Sequence, residues 1–351
     1  MKVLPPIHRL HDGQPLLRRI EQHPWENRVT FNPACAFVSD RTRLDAIIPR
    51  LPFDEATRRR LGKHPGLCFL LYRAQGEKTP SYDHTRSSIG LAILSPTLEL
   101  LARHSKPVLV PDQPYENLGA EDARITQIGS RFYMSYTAYR SGTPNNTTRL
   151  ALASSTDFVH WDKHGLVRGD VNEMDNKNAM LFPEQINGKY VMLHRPMEGK
   201  DRLCIHWAES DDLLGTWRSL GTLMRPLPNP SFVDTWIGGG APPLKLPDGR
   251  YLIIYHVGNR KADGSREYDL GIAVGDFGKK DFIVRRDEPF LRPSTPAETI
   301  GDAELGVNNV VFICAAYFHD GDLFIPYAGA DSVVLGAKIT GEDLDRYLRQ
   351  S

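Results

Sequence analysis

The stretch GAEDARITQIGSRFYMSY, residues 119–136, contains the pattern that decides the fold. Its last part, residues 132–136, alternates as a strand does, and a Gly-Ser turn signal stands just before it. Its first part places Glu121, Asp122 and Arg124 within four positions of one another. Charged side chains packed this closely at the start of a strand are unfavourable unless they are hydrated, form ion pairs or belong to a functional site. A charged turn with a surface ion pair is the simpler interpretation, so the surrounding pattern has to decide.

Apolar runs like the one at residues 132–136 recur along the chain. The five runs lie at residues 68–72, 132–136, 190–194, 251–255 and 323–327. Four of them follow a Gly-Ser, Asn-Gly or Asp-Gly pair, and such pairs make tight hairpins because they tolerate positive φ. Each run precedes a strand rich in small residues, at 88–92, 149–153, 203–208, 269–273 and 333–337. Three units continue into a third element with an aromatic or turn signature, at 158–161, 215–217 and 277–282.

This recurrence predicts an all-β fold, a five-bladed β-propeller. The period of about 60 residues exceeds what four strands need, so long connecting loops are implied. We expect a single catalytic domain with its blades at about residues 30–340 and short helical extensions at 1–29 and 341–351. Residues 34–38 are expected to complete the last blade and close the ring, and residues 44–61 to form a broken helix. A β-sandwich is the rival fold, but it does not explain the five-fold recurrence.

Composition and charge narrow the class of protein. The 351 residues are 40% hydrophobic and 25% charged, which is typical of a globular protein. The 43 basic and 43 acidic residues cancel, so no global field would attract nucleic acid or an anionic membrane. We see neither a signal peptide nor a run of about 18 apolar residues that would span a membrane. The cysteines lie far apart among apolar residues, which indicates buried free thiols, a reducing cytoplasm and no metal site.

Polar residues recur where the innermost strands of a propeller would converge. They are Arg73, Asp122 with Arg124, Lys177 with Asn178, Arg195, His256 and Asp331. Recurrence at nearly the same place in each unit favours one shared funnel over independent coincidences. Lys177, Arg195 and His256 are cationic or donating groups of the kind that binds a phosphate-like oxyanion. The sequence contains no P-loop or Rossmann glycine pattern, and we expect residues 238–240 to serve close backbone packing.

An acid beside an oxyanion site has a chemical meaning. Glycoside cleavage usually needs an acid for the leaving oxygen and a second carboxylate as base or nucleophile. If inorganic phosphate attacks instead, it brings its own negative charge. The enzyme then needs only the acid and a cationic pocket that orients the phosphate.

Several motifs together resemble glycoside hydrolase family 130, the β-mannoside phosphorylases. They are Phe31–Ala34, Gly119–Ile125, Lys177–Glu184, Leu193–Pro196, Gly240–Pro243, Tyr255–His256 and Gly329–Asp331. The resemblance spans about residues 30–340 in family order. It implies a five-bladed propeller and inverting phosphorolysis of β-mannosides, β-1,2 or β-1,4, to α-mannose 1-phosphate. Inorganic phosphate is then a co-substrate, and no cofactor or metal is implied.

The resemblance also assigns roles to residues. Asp122 matches the general acid of the family, whose proton passes through a mannose hydroxyl. The positions that hold phosphate in the family are matched by Lys177, Asn178, Arg195 and His256. The positions that hold the mannosyl unit are matched by Asn32, Arg73 and Asp331. Arg124 is a further substrate-binding candidate, and we also expect Arg124 or Glu121 to support the geometry or charge of Asp122. Lys177 stands where the family often has Arg, which keeps the charge but loses bidentate geometry, and Ala123 stands where Pro is common.

Three alternatives stay open on the sequence alone. Some family members are hydrolases that use a glutamate base, and Glu184, Glu298 and Glu304 are available for that role. The retained cationic positions favour the phosphorylase, although the lysine at position 177 weakens that preference. A propeller that only binds carbohydrate is the alternative without catalysis.

The sequence leaves the linkage undecided, with a slight preference for β-1,2. A homo-oligomer with contacts through the two terminal extensions is a further expectation.

Overall fold

The computed structural model describes residues 4–78, 86–199, 202–279, 283–285 and 288–350, and it is mostly β. The strands are β1 (His8–Arg9); β2 (Val29–Val38), β3 (Leu67–Gln75), β4 (Ser87–Leu94) and β5 (Leu100–Arg103); β6 (Gly119–Ile128), β7 (Arg131–Arg140), β8 (Thr147–Ser155) and β9 (Asp162–Leu166); β10 (Arg168–Gly169), β11 (Asn176–Leu181), β12 (Tyr190–Pro196), β13 (Ile205–Ser210) and β14 (Thr216–Met224); β15 (Asp234–Gly239), β16 (Leu244–Lys245), β17 (Tyr251–Arg260), β18 (Arg266–Gly275) and β19 (Ile283–Arg285); β20 (Val311–Ile313), β21 (Tyr317–His319), β22 (Asp322–Gly329) and β23 (Val333–Ile339). The helices are α1 (Arg41–Ile47), α2 (Glu55–Leu61), α3 (Pro296–Thr299) and α4 (Gly341–Leu348).

The strands pair mainly with their neighbours in sequence. The order is β2–β3–β4–β5 in a first group and β6–β7–β8–β9 in a second, and one parallel pair, Ser87 with Gly119, joins the two groups into one sheet. A third group runs β11–β12–β13–β14, with β10 along β14. The fourth runs β15–β17–β18–β19 and the fifth β20–β22–β23–β1, with β16 and β21 pairing at the side.

The structure corrects where each repeat begins. Every apolar run found in the sequence is the second strand of its group, and a first strand precedes it. Residues 34–38 lie in β2 and pair with β3, so the prediction that they complete the last group is wrong. The fifth group is completed instead by β1, where His8 pairs with Lys338. Residues 39–66, with two helices, separate β2 from β3, and therefore no tight turn marks that hairpin in the sequence.

The predicted turns are hairpin turns in the structure. Asn187 and Gly188 have φ of 51° and 78°, and Asp320 and Gly321 have φ of 49° and 85°. Such left-handed pairs match the twist of the strands that they join. Of the third elements, 158–161 is a turn before β9 and 215–217 leads into β14, whereas 277–282 extends beyond the described residues.

The helices agree only in part with the prediction. The broken helix is confirmed as α1 and α2, which begin at the capping residues Asp40 and Asp54. The C-terminal helix α4 is also confirmed, with Leu344 and Tyr347 buried against the fifth group. The N-terminal segment is not helical beyond one turn at residues 11–13, because it is used to form β1. Among the described residues, no helix has the length and apolar character needed to cross a membrane.

A buried carboxylate fastens β1 to the fifth group. Glu298 is 0% exposed, and it accepts hydrogen bonds from Arg9 Nε at 2.8 Å and from the Tyr327 hydroxyl at 2.7 Å. The backbone N–H groups of Ser294 and Thr295 donate to its other oxygen at 2.8 and 2.9 Å. Burial raises the pKa of Glu298, but Arg9 and the backbone donors outweigh that effect, so the pKa is lowered overall. The carboxylate is therefore charged and fully paired.

We expect Glu298→Ala to lower the free energy of unfolding by about 3–5 kcal/mol, because the substitution removes the ion-pair partner of Arg9 and leaves the Tyr327 hydroxyl and two backbone N–H groups without an acceptor. Urea denaturation measures the change. Glu342→Ala is the matched control, since that side chain is 82% exposed in its pair with Arg346 and should change stability by less than about 1 kcal/mol. Similar losses in the two variants would contradict the assigned role of Glu298.

Candidate active site

The first strands of three groups share one irregularity that directs a polar side chain. The ladder breaks between Phe31 and Ala34 in β2, between Glu121 and Arg124 in β6, and between Lys177 and Met180 in β11. Inside each break lies a left-handed residue: Asn32 at φ 44°, Asp122 at φ 51° and Asn178 at φ 58°. Asn and Asp adopt this conformation more readily than other residues with a side chain, and a bulge turns the side chain out of the ladder.

The second strands of the first, third and fourth groups add polar residues at matching positions. Arg73 pairs with Phe31, Arg195 with Lys177 and His256 with Gly238. In the first and third groups the polar residue of the second strand therefore lies beside the bulge of its own group. In the fourth group the first strand contributes glycine, and a Cβ at Gly238 would lie 2.4 Å from His256 Nε2. This close approach agrees with the packing role predicted for residues 238–240.

These side chains meet in one cavity of about 170 Å³. It is lined by Asn32, Arg73, Asp122, Lys177, Asn178, Arg195, His256, Tyr268, Val310, Phe312 and Asp331. The structure therefore brings together every predicted site residue except Arg124. A larger cleft of about 600 Å³ lies along the fourth group, beside Phe232, Asn259 and Asp269, and it contains none of the predicted residues.

Asp122 is the central carboxylate of the cavity. Asn32 Nδ2 donates to its Oδ1 at 2.7 Å and Arg73 Nη1 donates to the same atom at 3.0 Å. Burial disfavours the charged form, but the positive charges of Arg73, Lys177 and Arg124 outweigh it and hold the pKa of Asp122 well below its usual range. Asp122 is therefore ionised at neutral pH in this structure.

Glu121 lies between two cationic residues of the cavity, Arg73 and Lys177. Its Oε1 accepts from Arg73 Nη2 at 2.6 Å, and its Oε2 lies 3.9 Å from Lys177 Nζ. Glu121 does not line the cavity, so in this structure it is a counter-ion of Arg73 and Lys177. The dense charge of the Glu-Asp pair is the signal that marked it in the sequence.

Arg195 is a buried cation held by a neutral partner. Its Nη1 lies 3.0 Å from His256 Nε2, and no carboxylate among the described residues lies within 4.0 Å of it. Burial, followed by Arg195 and Arg124, lowers the pKa of His256 well below its ordinary value. His256 is thus neutral, and because a guanidinium can only donate, Nε2 accepts and the proton resides on Nδ1. Burial also lowers the pKa of Arg195 to about 10, which leaves it charged at neutral pH.

The remaining phosphate candidates lie beside Arg195. Lys177 is 26% exposed by its side chain, and its ammonium group is only loosely paired with Glu121 at 3.9 Å. Asn178 is 1% exposed, and its Oδ1 has no hydrogen-bond partner among the described residues. A buried amide oxygen without a donor is costly, and a hydroxyl group of a ligand would satisfy it. Lys177 and Arg195 therefore bring two positive charges, and Asn178 an amide group, to the lining of the cavity.

Asp331 is the second carboxylate of the cavity, at the start of the turn after β22. It follows Ala330, and both residues are left-handed, with φ of 48° and 47°. Burial raises the pKa of Asp331 to about 7; Arg73 opposes the shift, and the negative charges of Asp122 and Glu121 add to it. The carboxyl group of Asp331 therefore titrates near neutral pH.

Arg124 differs from the expectation that it binds substrate. It is 1% exposed and lies outside the cavity lining. Its guanidinium donates to the carbonyl oxygens of Gly240, Gly239 and Asp122 at 2.8, 2.8 and 2.7 Å. The structure places it beneath the site as a bridge between two strands.

The three glutamates considered as hydrolytic bases lie outside the cavity. Glu184 accepts from the Tyr251 hydroxyl at 2.6 Å and pairs with Lys245 at 2.5 Å. Glu298 is saturated by Arg9 and the backbone, and Glu304 is 60% exposed beside Arg28. Among the described residues, the carboxylates that line the cavity are Asp122 and Asp331.

Sequence reasoning missed Val310 and Phe312 in the wall of the cavity. Phe312 and Val310 lie in or beside β20, a first strand that is too short to show a periodic pattern. The ring centroid of Tyr268, which also lines the cavity, lies 6.1 Å from that of His256 and 6.4 Å from that of Phe312. No group of three described His, Cys, Asp or Glu residues is placed to hold a metal ion.

Comparisons with known proteins show the family of the chain. The model of a family described as beta-1,4-mannooligosaccharide phosphorylase, glycoside hydrolase family 130, matches residues 16–349. The chain is 31% identical over 340 residues to a 1,2-beta-oligomannan phosphorylase of Thermoanaerobacter sp. (strain X514). The aligned region covers 96% of this chain and 98% of that protein. The chain is 33% identical over 332 residues to a beta-1,2-mannobiose phosphorylase of the same strain, covering 93% and 95%.

A solved structure shares the fold. The beta-1,2-mannobiose phosphorylase from Listeria innocua, in complex with beta-1,2-mannobiose, superimposes with a TM-score of 0.76. The match covers 98% of this chain and 99% of that one at 22% identity.

Proposed function

The chain belongs to glycoside hydrolase family 130 and is a β-mannoside phosphorylase, and we propose that Asp122 supplies the proton of its reaction while Lys177 and Arg195 hold the phosphate. One observation carries the phosphate assignment. Arg195 is a buried guanidinium without a carboxylate partner among the described residues, and a buried unpaired cation is unfavourable unless an anion joins it. A phosphate anion in this corner of the cavity pairs with Arg195 and with the loosely held Lys177, and the Asn178 amide group donates to it.

The mannosyl unit is proposed to lie between the phosphate and the bulges of the first two groups. Asn32, Arg73 and Asp331 surround that space, and they present the amide, guanidinium and carboxyl groups that bind vicinal hydroxyls. Arg73 is itself held over the Phe31 ring at 4.6 Å and by the Ser87 hydroxyl at 2.9 Å. The sugar therefore meets groups whose orientation is already fixed.

The reaction then follows from the charges. A phosphate oxygen attacks the anomeric carbon on the face opposite the leaving oxygen, and the carbon–oxygen bond breaks with inversion to α-mannose 1-phosphate. The proton of Asp122 reaches the leaving oxygen through a mannose hydroxyl. Hydrogen phosphate loses one proton when it becomes the ester dianion, and that proton restores Asp122. No glutamate base is needed for this balance.

Asp122 must gain a proton before it can donate one, because it is ionised in the structure. A bound phosphate dianion offsets the charges of Lys177 and Arg195 that lower the pKa of Asp122. Binding of phosphate therefore favours the protonated carboxyl by the ordinary effect of a nearby like charge. Asp331, with a pKa of about 7, is a second proton holder in the same cavity.

The test of the proposed function uses purified protein with β-1,2- and β-1,4-mannobiose, each with and without phosphate. We expect α-mannose 1-phosphate, identified by ³¹P NMR, only in the tubes with phosphate. Free mannose formed without phosphate would indicate a hydrolase, and absence of turnover on both linkages would favour a carbohydrate-binding protein.

The linkage proposed is β-1,2. Two relatives that align with more than nine-tenths of this chain are named for β-1,2-linked substrates. Faster turnover of β-1,4-mannobiose would overturn this choice.

We further propose that the five strand groups are the blades of one propeller domain. The same cavity receives side chains from all five groups. A second cavity of about 320 Å³ is lined by residues that lie in or just after the first strands of all five, among them Cys35, Thr126, Pro183, Pro242 and Ala315. All four cysteines are buried and none of them is in a disulfide, which supports the proposal of a cytoplasmic protein. A homo-oligomer stays a prediction; both terminal extensions pack against their own fifth group.

A further inference from the structure

The side chain of Arg124 joins two strands that belong to different groups. It leaves β6 and reaches the end of β15, where Nε and Nη2 donate to the carbonyl oxygens of Gly240 and Gly239, each at 2.8 Å. These partners are more than a hundred residues away in sequence, at separations of 116 and 115. The remaining terminal nitrogen, Nη1, donates to the carbonyl oxygen of Asp122 at 2.7 Å.

The contacted backbone has little freedom to adjust by itself. Asp122 is left-handed at φ 51° inside a bulge, a conformation that costs energy for a residue with a side chain. Asp122 lies in the break of the ladder, and its carbonyl oxygen needs a donor because a buried carbonyl without one is unfavourable. On the other side, a Cβ at Gly239 would lie 2.5 Å from Met180 Cε, so that strand is packed closely against its neighbour.

We propose that Arg124 is a positioning residue that fixes the backbone of Asp122 and thereby aims its carboxyl group into the cavity. The inference rests on the proposed role of Asp122 as the proton donor. Arg124 is 1% exposed and does not touch the cavity, so it acts only through Asp122 and the strands that it joins. A displacement of about 1 Å at a reacting group can cost about 100-fold in rate.

Arg124 has a second effect on the same carboxyl group through its charge. The groups that act on Asp122 are the cations Arg73, Lys177, Arg124 and Arg195, the carboxylates Glu121 and Asp331, and the neutral His256. Arg124 is one of the charges that lower the pKa of Asp122. A general acid loses activity as pH rises through its pKa in the complex. Removal of the charge therefore moves the basic limb of the pH profile to higher pH.

The test compares Arg124→Gln, which removes the charge, with Arg124→Lys, which retains it but cannot make the three contacts. We expect both to lower kcat about 100-fold while the KM for phosphate changes less than about threefold, because the fault lies in alignment. Only Arg124→Gln should move the basic limb, by about one pH unit upward. Circular dichroism and the thermal midpoint establish the temperature at which each variant is folded, and Arg124→Lys carries the test of alignment if Arg124→Gln does not fold.

A double-mutant cycle with Asp122→Asn separates this inference from the proposed function. If Arg124 acts through Asp122, its substitution lowers kcat in the wild-type background and has little further effect when Asp122 is already replaced. Equal losses in the two backgrounds, or a wild-type kcat in Arg124→Lys, would overturn the positioning role while Asp122 stays the acid. Full activity of Asp122→Asn alone would instead overturn the proposed function and the inference with it.

Discussion

Replacement of Asp122 by Asn is expected to lower kcat for phosphorolysis by about 10²–10⁴-fold, the range lost with a general acid. The amide has the shape of the carboxyl group and can still accept hydrogen bonds from Asn32 and Arg73, so the cavity should keep its form. It cannot supply a proton to the leaving oxygen. Release of α-mannose 1-phosphate from β-1,2-mannobiose measures the effect.

A substrate that needs no acid gives this prediction a sharper form. An aryl β-mannoside with a good leaving group departs without protonation, so Asp122→Asn should cleave it with a much smaller loss than it shows on mannobiose. Asp211→Asn is the control, because Asp211 is 84% exposed beside Lys189 and far from the cavity. An equal loss on both substrates would mean that Asp122 binds the sugar rather than protonates it, and full activity on mannobiose would remove it from the mechanism.

The sequence was sufficient for the parts of the site that repeat. Asn32, Asp122 and Asn178 occupy the same bulge in three groups, and Arg73, Arg195 and His256 occupy the matching place on the second strands. A repeated backbone turns equal sequence positions toward the same point. Residues on different groups could therefore be predicted as neighbours before their distances were known.

The interactions that cross between groups could not be predicted in this way. Arg124 stands in the same motif as Asp122, yet its partners are carbonyl oxygens of Gly239 and Gly240, and carbonyl oxygens carry no signature in a sequence. β1 was missed for a similar reason, since two residues of strand have no periodicity. The prediction that residues 34–38 complete the last group was also wrong. They pair with β3, and the long helical connection between β2 and β3 leaves no turn signal for this hairpin in the sequence.

Arg195→Met is expected to lower the use of phosphate strongly. In the absence of phosphate, the same substitution should leave the thermal stability of the protein unchanged or raise it. The guanidinium is buried beside His256 and has no carboxylate partner among the described residues, so its charge costs stability until an anion joins it. Methionine removes that cost at similar length. We therefore expect the variant without phosphate to unfold at a temperature equal to or above that of the wild type.

Phosphate should reverse the order of the two proteins. An anion at 100 times its dissociation constant stabilises the folded wild type by about 2.7 kcal/mol, and Arg195→Met should lose most of that stabilisation. Its kcat/KM for phosphate should fall about 100-fold or more, as when one partner of a buried charge pair is removed. Arg218→Met is the control, because Arg218 is 69% exposed and pairs only at the surface with Glu209.

Lys177→Arg completes the comparison within the same corner. It restores the forked donor common in the family at this position and keeps the charge opposite Glu121, so we expect phosphate affinity to be kept or raised. If Arg195→Met remained as strongly stabilised by phosphate as the wild type, the anion would bind elsewhere. The buried guanidinium would then need another partner, and the assignment of this corner to phosphate would be wrong.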